Sequence, residues 1–202
     1  MPRKPGPVED RRAQILDAAL KLFAEKGFKG TSNQDIARAA GISAGLIYFY
    51  FDKKEDLLFA LLEDRITEGG TPLPIEAFKM LPPEQVLPML AHIALSRLDN
   101  QDTVNVVKVV VGEMLQREEV RAIANTNVNR LLETIGSYLA FQMEQGRLRQ
   151  DDPILCAQTF IAGLIATIMR RQLLADPRML GLSADQIVTT VVGIFLRGMR
   201  PE

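Results

Sequence analysis

The chain has 202 residues, 47% of them apolar, one cysteine and a net charge of −1. That is enough for one substantial core, or for a small domain joined to a larger one. A lone Cys156 excludes an internal disulfide framework and points to a reducing compartment, and near-neutrality excludes a polycation, so any nucleic-acid site must be a local basic patch.

Residues 1–54 hold ten basic and six acidic side chains, whereas the remainder holds 14 basic and 19 acidic ones. A positive head on an acidic body suits contact with phosphate at one end. The basic start, MPRKPGP, has no apolar segment behind it and does not read as a secretory signal. The longest nearly unbroken apolar run, Phe160 to Met169, stops at Arg170-Arg171 and is shorter than a bilayer crossing. The expectation is a soluble, cytoplasmic protein with no membrane partner.

Nearly every segment has helical periodicity. Residues 10–26 set Ile15, Leu16, Ala19, Leu20 and Phe23 on one stripe. Gly27 supplies a left-handed stop, after which Phe28 can pack back on the last turn. Ser32 with Asp35 three residues later opens a second helix in capping-box fashion; it carries Ile36, Ala37 and Ala40 and ends at Gly41. Ser43 can cap a third helix containing Leu46, Ile47 and Tyr50. Asp52 and Glu55 repeat the capping pattern for a fourth, through Leu57, Leu58, Leu61 and Leu62. From Gly69 to Pro88 the breakers Gly69, Gly70, Pro72, Pro74, Pro82, Pro83 and Pro88 predict a bent connector with short helical pieces. Further helices are expected over 84–99, 102–117, 119–145, 152–175 and 184–199, with Gly146 and Asp176-Pro177 as the clearest stops. No strand alternation or repeat stands out, so the fold class is all-α: an N-terminal three-helix head over 1–54 and a helical body over 55–202.

The spacing Ala37–Gly41–Ile47 suits a helix-turn-helix. Two steeply crossing helices need a small residue where their backbones approach, a tight turn that tolerates positive φ, and an inward apolar anchor on the second helix. That arrangement would offer the helix from Ser43 to Phe51 to a DNA major groove. An ordinary αα-hairpin uses the same spacing.

Over residues 10–58 the chain resembles the tetracycline-repressor (TetR) family of bacterial regulators. The segments that carry the resemblance are ILDAALKLFAEKGFKGTS, DIARAAGIS and GLIYFYFDKKEDL. They match the family's Phe-x-x-x-Gly at the end of the first helix (Phe23 to Gly27), Thr31-Ser32, Ile36-Ala37, Ala40 to Ser43, the aromatic Tyr48 to Phe51, and Lys54-Glu55. The resemblance implies an all-helical homodimer, with a DNA-binding head and a body that binds a small effector.

It also implies that Tyr48, Tyr50 and Lys54 contact phosphate, where hydroxyls and an ammonium donate without reading sequence. Thr31 and Ser32 lie at a helix start, which favours an anion as well as plain capping. Gln34 matches a base-reading position of some relatives, with Asn33 beside it. The recognition helix offers Ser43, Ala44, Gly45 and Leu46. Many relatives carry Lys, Arg or Gln where Ala44 stands, and Thr or Ala where Leu46 stands. Ala44 and Leu46 can meet thymine methyls but cannot pair with guanine, so shape readout and the basic arm Arg3-Lys4, suited to a minor groove or simply solvated, gain weight.

In the body, Ile187, Val188, Val191, Val192, Ile194, Phe195, Leu196 and Met199 make the last helix apolar nearly all round. Ala157, Ala162, Gly163 and Ala166 allow close approach on the helix before it. The resemblance makes these two helices a four-helix dimer interface; an intramolecular core is the other reading. Effector candidates are Met89, His92, Met114, Tyr138, Phe141 and Phe160, because Met and aromatic residues adapt to varied apolar ligands, although such residues are equally core material. With one His and one Cys there is no metal cluster or Cys/His nucleophile pair to expect, no phosphate-binding Gly loop, and no cofactor. The function expected is a ligand-responsive regulator, a repressor released from its operator by a small, mainly apolar effector, and not an enzyme. The alternatives are a helical carrier or enzyme with a vestigial head, and a protein-interaction module.

Overall fold

A computed structural model describes residues 8–68, 75–98 and 100–201. Among these residues every regular element is helical: α1 (Val8–Lys26), α2 (Asn33–Ala40), α3 (Ala44–Tyr50), α4 (Lys54–Leu62), α5 (Ile75–Phe78), α6 (Pro83–Leu98), α7 (Gln101–Glu113), α8 (Glu118–Glu144), α9 (Pro153–Gln172), α10 (Pro177–Leu180) and α11 (Ala184–Gly198). α4 runs on into a π-helical stretch, Glu63–Glu68. The all-α expectation holds, with element ends displaced by a few residues. The helix expected over 102–117 stops earlier, at Glu113, where Met114 to Gln116 form a turn. α10 and the π-helical stretch were not foreseen.

The chain forms two compact units, one of residues 1–71 with 101–125 and the other of 72–100 with 126–202. The division expected at residue 54 therefore does not coincide with packing, since α4 and α7 build one core with α1 to α3. In this first unit Ile15, Leu16, Ala19, Leu20 and Phe23 are all buried, as their stripe on α1 requires, against Ile36, Ala37, Ile47, Leu57, Leu58, Leu61, Val106, Val109 and Val120. Each large aliphatic side chain so buried contributes roughly 1.5–3 kcal/mol. Gly27, at φ 75°, ends α1, and Phe28 folds back to put its ring 5.2 Å from that of Phe23. Asp17 of α1 pairs with Arg65, and Arg12 with Asp64 at 3.7 Å, so α1 is also tied to the π-helical stretch.

The second unit packs α6, the later turns of α8, α9 and α11 around Leu87, Tyr138, Leu139, Phe160, Leu164 and Val192. Its polar burials are satisfied. The Tyr138 hydroxyl donates to the Leu81 carbonyl at 2.9 Å, and the fully buried Gln142 amide donates to that of Lys79 at 2.7 Å. These bonds fasten the turn between α5 and α6 onto α8, in line with the rule that buried polar atoms find partners. α9 and α11 approach closely at Gly163, where an added Cβ would lie 3.2 Å from Cγ1 of Val191.

α9 requires a correction. The unbroken apolar run is short, but the whole 20-residue helix is long and apolar enough by length and composition to cross a membrane. Cys156, Ala157, Phe160, Leu164 and Ile168 instead bury one of its faces in the core of the second unit.

Candidate nucleic-acid interface

α2 and α3 owe their geometry to their ends. Ser32 caps α2: its hydroxyl accepts from the Asp35 N–H at 3.1 Å, and the Asp35 carboxylate accepts from the Ser32 N–H at 3.1 Å. The hydroxyl also donates to Asp35 at 2.6 Å. These bonds hold the Asp35 carboxyl below the usual carboxylate range. At the other end Gly41, at φ 64°, turns the chain so that the Ile42 N–H reaches the Ala37 carbonyl at 3.0 Å. The Gln14 side chain of α1 donates to the Ala40 carbonyl at 2.7 Å, satisfying one of the acceptors a helix end leaves open. Ile47, fully buried, pins α3 against this frame.

The remaining faces of α3 turn outward. Ser43 and Gly45 are exposed, and Ala44, Leu46 and Tyr50 are half-buried. Tyr48 is 56% exposed and Phe49 77%. Ser43 holds the cap position of α3 but makes no capping bond with its side chain. The cap of α4 is shifted by one residue from its expected place, because the Lys53 N–H, not that of Asp52, donates to Asp56 at 3.0 Å. Tyr50 sits between Phe49 and Phe51, with ring centroids 5.3 and 6.4 Å away, so its ring is partly structural. Gln34 is exposed and Asn33 half-buried at the start of α2, with the Asn33 Oδ1 enclosed and without a hydrogen bond. The Arg3-Lys4 arm lies outside the described residues.

Two candidate phosphate ligands are already engaged within the fold. Thr31 is only 2% exposed, and its hydroxyl donates to the Gly27 carbonyl at 2.9 Å, so it staples the turn between α1 and α2 and does not face solvent. The Lys54 ammonium donates to the carbonyls of Phe28 and Thr31, both at 2.7 Å, and lies 4.2 Å from the centre of the Phe28 ring. One of its three N–H groups is left for another acceptor.

The effector candidates do not form one cluster. Met114 packs on the core of the first unit. Tyr138 and Phe160 are fully buried core of the second, Phe160 with its ring 5.3 Å from that of Phe195. Met89 and Phe141 are half-buried. His92 is on the surface, its side chain 46% exposed and 3.4 Å from Asp185. Helical periodicity distinguishes inside from outside, but not a pocket wall from packed core. Two open clefts in the second unit, about 660 and 280 Å³, are lined by other residues, among them Leu148, Arg149, Asp151 and Met199.

Sequence reasoning missed Phe49 and Arg117. Phe49 was not singled out, although it lies about 200° around the helix from Ile47 at 100° per residue. Arg117 had no signal in the sequence: its partners Glu113 at 3.0 Å, Glu55 at 3.6 Å and the ring of Phe28 at 4.2 Å come together only through tertiary structure.

Residues 15–61 match the family described as bacterial regulatory proteins, tetR family, and residues 85–199 match the C-terminal domain of AefR-like transcriptional repressors. The chain belongs to the TetR family. The HTH-type transcriptional regulator HbdR of Aromatoleum sp. (strain CIB) is 33% identical over 131 residues, covering 64% of this chain and 57% of HbdR. The chain thus spans little more than half of that relative. The fatty acid degradation regulator FadR of Bacillus halodurans superposes with a TM-score of 0.73 at 24% identity, over 99% of this chain and all of FadR. FadR of Bacillus subtilis, solved in complex with stearoyl-CoA, does so with a TM-score of 0.72 at 20% identity, over 93% and 99%. At those identities the structures show the shared TetR fold.

Proposed function

We propose that this TetR-family chain is a DNA-binding transcriptional repressor, released from its operator by a small, mainly apolar effector. The observation that carries the reading is the outward face of α3, held by the Gly41 turn and the Ile47 anchor. α3 enters a major groove, with Ser43, Ala44, Gly45 and Leu46 toward the bases and Gln34 and Asn33 of α2 beside them. Tyr48, Tyr50 and Lys54 bind phosphate, while Thr31 and Ser32, whose hydroxyls and N–H groups are used within the fold, position the start of α2. Arg3 and Lys4 enter the adjacent minor groove. Residues 1–54 are the reading head in this functional sense.

The protein acts as a homodimer through α9 and α11. Leu155 is 57% exposed, Ile165 47% and Ile194 61%, an apolar face of the sort that marks an association site. Two copies place two heads on a pseudo-palindrome. The effector is held in the body, where Met89, His92, Tyr138, Phe141 and Phe160 are the candidate contacts; Met114 belongs to the first unit and packs on its core. The stearoyl-CoA held by Bacillus subtilis FadR supports a ligand with a long apolar part.

The test is selection of bound fragments from genomic DNA, followed by titration of stearoyl-CoA and shorter acyl thioesters into the complex. A reproducible operator with salt-dependent affinity is expected, together with release by at least one thioester. Binding to no DNA at all would overturn the reading, and binding that no thioester affects would overturn its effector half.

A further inference from the structure

The base-facing side chains named so far on α3 do not include the most exposed large side chain of that helix. Phe49 is 77% exposed, the most exposed residue among the aromatic rings of the first unit. It follows Gly45 by four residues, so the two lie one above the other on a single helix face, opposite the buried Ile47. Nothing in the fold accounts for either residue there. Phe49 contributes little to the core, and its one close ring contact within α3 is edge-on to Tyr50 at 5.3 Å. At Gly45 an added Cβ would meet no atom within 4 Å, and Gly45 is not among the glycines with positive φ. An exposed helical glycine of this kind costs stability relative to alanine, and a glycine at such a site is explained by close approach of something outside the fold.

We propose that Gly45 and Phe49 form an apolar reading ridge, in which Gly45 lets α3 approach the floor of a DNA major groove and Phe49 selects thymine by packing on its 5-methyl group. This rests on the DNA-binding reading above. The methyl is the one apolar feature that the major-groove edge of a base pair presents, and a ring without hydrogen-bonding atoms has no other base edge to recognise. Exposed cations on the same unit, Lys26, Lys29, Arg38 and Lys53, supply the charge complement that a duplex requires. The ridge therefore adds to the thymine contacts open to Ala44 and Leu46. It predicts operators in which thymine recurs at fixed positions in each half-site.

The experiment uses the full-length protein and the operator obtained by fragment selection, with thymines in each half-site replaced singly by deoxyuridine, which removes only the methyl. At one or two positions the wild-type protein should lose about fourfold in affinity per methyl. Phe49→Ala should bind the thymine operator more weakly and show no further loss with deoxyuridine. Gly45→Ala should raise Tm and yet weaken operator binding at least tenfold. Equal deoxyuridine penalties for wild type and Phe49→Ala would overturn the assignment of Phe49, as would the absence of any penalty. Full operator affinity in Gly45→Ala would overturn the close approach. Absence of all DNA binding by the wild-type protein would be a failure of the DNA-binding reading itself, and fragment selection detects it before any variant is made.

Discussion

The ammonium of Lys54 donates to the backbone carbonyl of Thr31 at 2.7 Å. α4 thereby holds the residue that precedes the cap of α2, and a second bond to the Phe28 carbonyl, also at 2.7 Å, holds the turn before it. The head is thus braced from behind by a side chain that the sequence offers only as a phosphate ligand.

Lys54→Ala should therefore have two separable effects. Loss of two charge-assisted hydrogen bonds should lower stability by about 1.5–3 kcal/mol, measured by urea denaturation. Loss of the charge should weaken binding to all operators alike and reduce the slope of log affinity against log salt by about 0.9. An unchanged slope with reduced stability would make Lys54 a brace alone.

Arg117 braces the same turn from the loop between α7 and α8. Its guanidinium pairs with Glu113, which is only 7% exposed, and covers the ring of Phe28. Arg117→Ala strands that carboxylate in the core, and breaking a buried pair by removing one partner costs about 3–5 kcal/mol. Arg117→Ala together with Glu113→Gln should recover part of the loss. Denaturation midpoints of the single and double variants measure the coupling, and purely additive effects would contradict it.

Ile194 tests the association face. It is 61% exposed on α11, whereas Val192 and Phe195 beside it are buried. Ile194→Lys should leave the subunit folded by circular dichroism, convert a dimer to monomers in sedimentation velocity and weaken operator binding, because one head engages one half-site. A dimer that survives the change would move the interface elsewhere.

The head was largely legible in the sequence because its determinants are local. Ser32 and Asp35 are three residues apart, Gly41 needs its left-handed φ, and the α1 stripe from Ile15 to Phe23 repeats with the helix. Contacts between residues far apart in the chain were not legible. Lys54 reaches Phe28 and Thr31 across more than twenty residues, and Arg117 reaches Glu55 across more than sixty, so a motif match alone assigns Lys54 a phosphate and Arg117 nothing. In the body, Tyr138 and Phe160 matched the chemistry of a pocket wall, but the same periodicity also fits packed core, which is where they are found. His92 shows the converse, an apparent pocket residue whose helix position turns it to the surface beside Asp185.

The cap of α2 should give the head an acid-sensitive component of stability. Hydrogen bonds from the Ser32 hydroxyl and backbone lower the pKa of Asp35 in the folded state. A carboxyl whose folded pKa is depressed contributes stability that is fully present above its unfolded value, near 3.9, and is lost as pH falls through the lower folded value. Asp35→Asn removes the charge and weakens the return bond to the Ser32 N–H. Wild type should therefore exceed Asp35→Asn in stability at neutral pH and down to the unfolded carboxyl value of about 3.9. The two should converge as pH falls below that value and through the lower folded one, where the wild-type carboxyl takes up its proton. Urea midpoints of both proteins across that range decide it: a gap that stays constant with pH would mean that the Ser32–Asp35 box acts through its shape and not through the charge of Asp35.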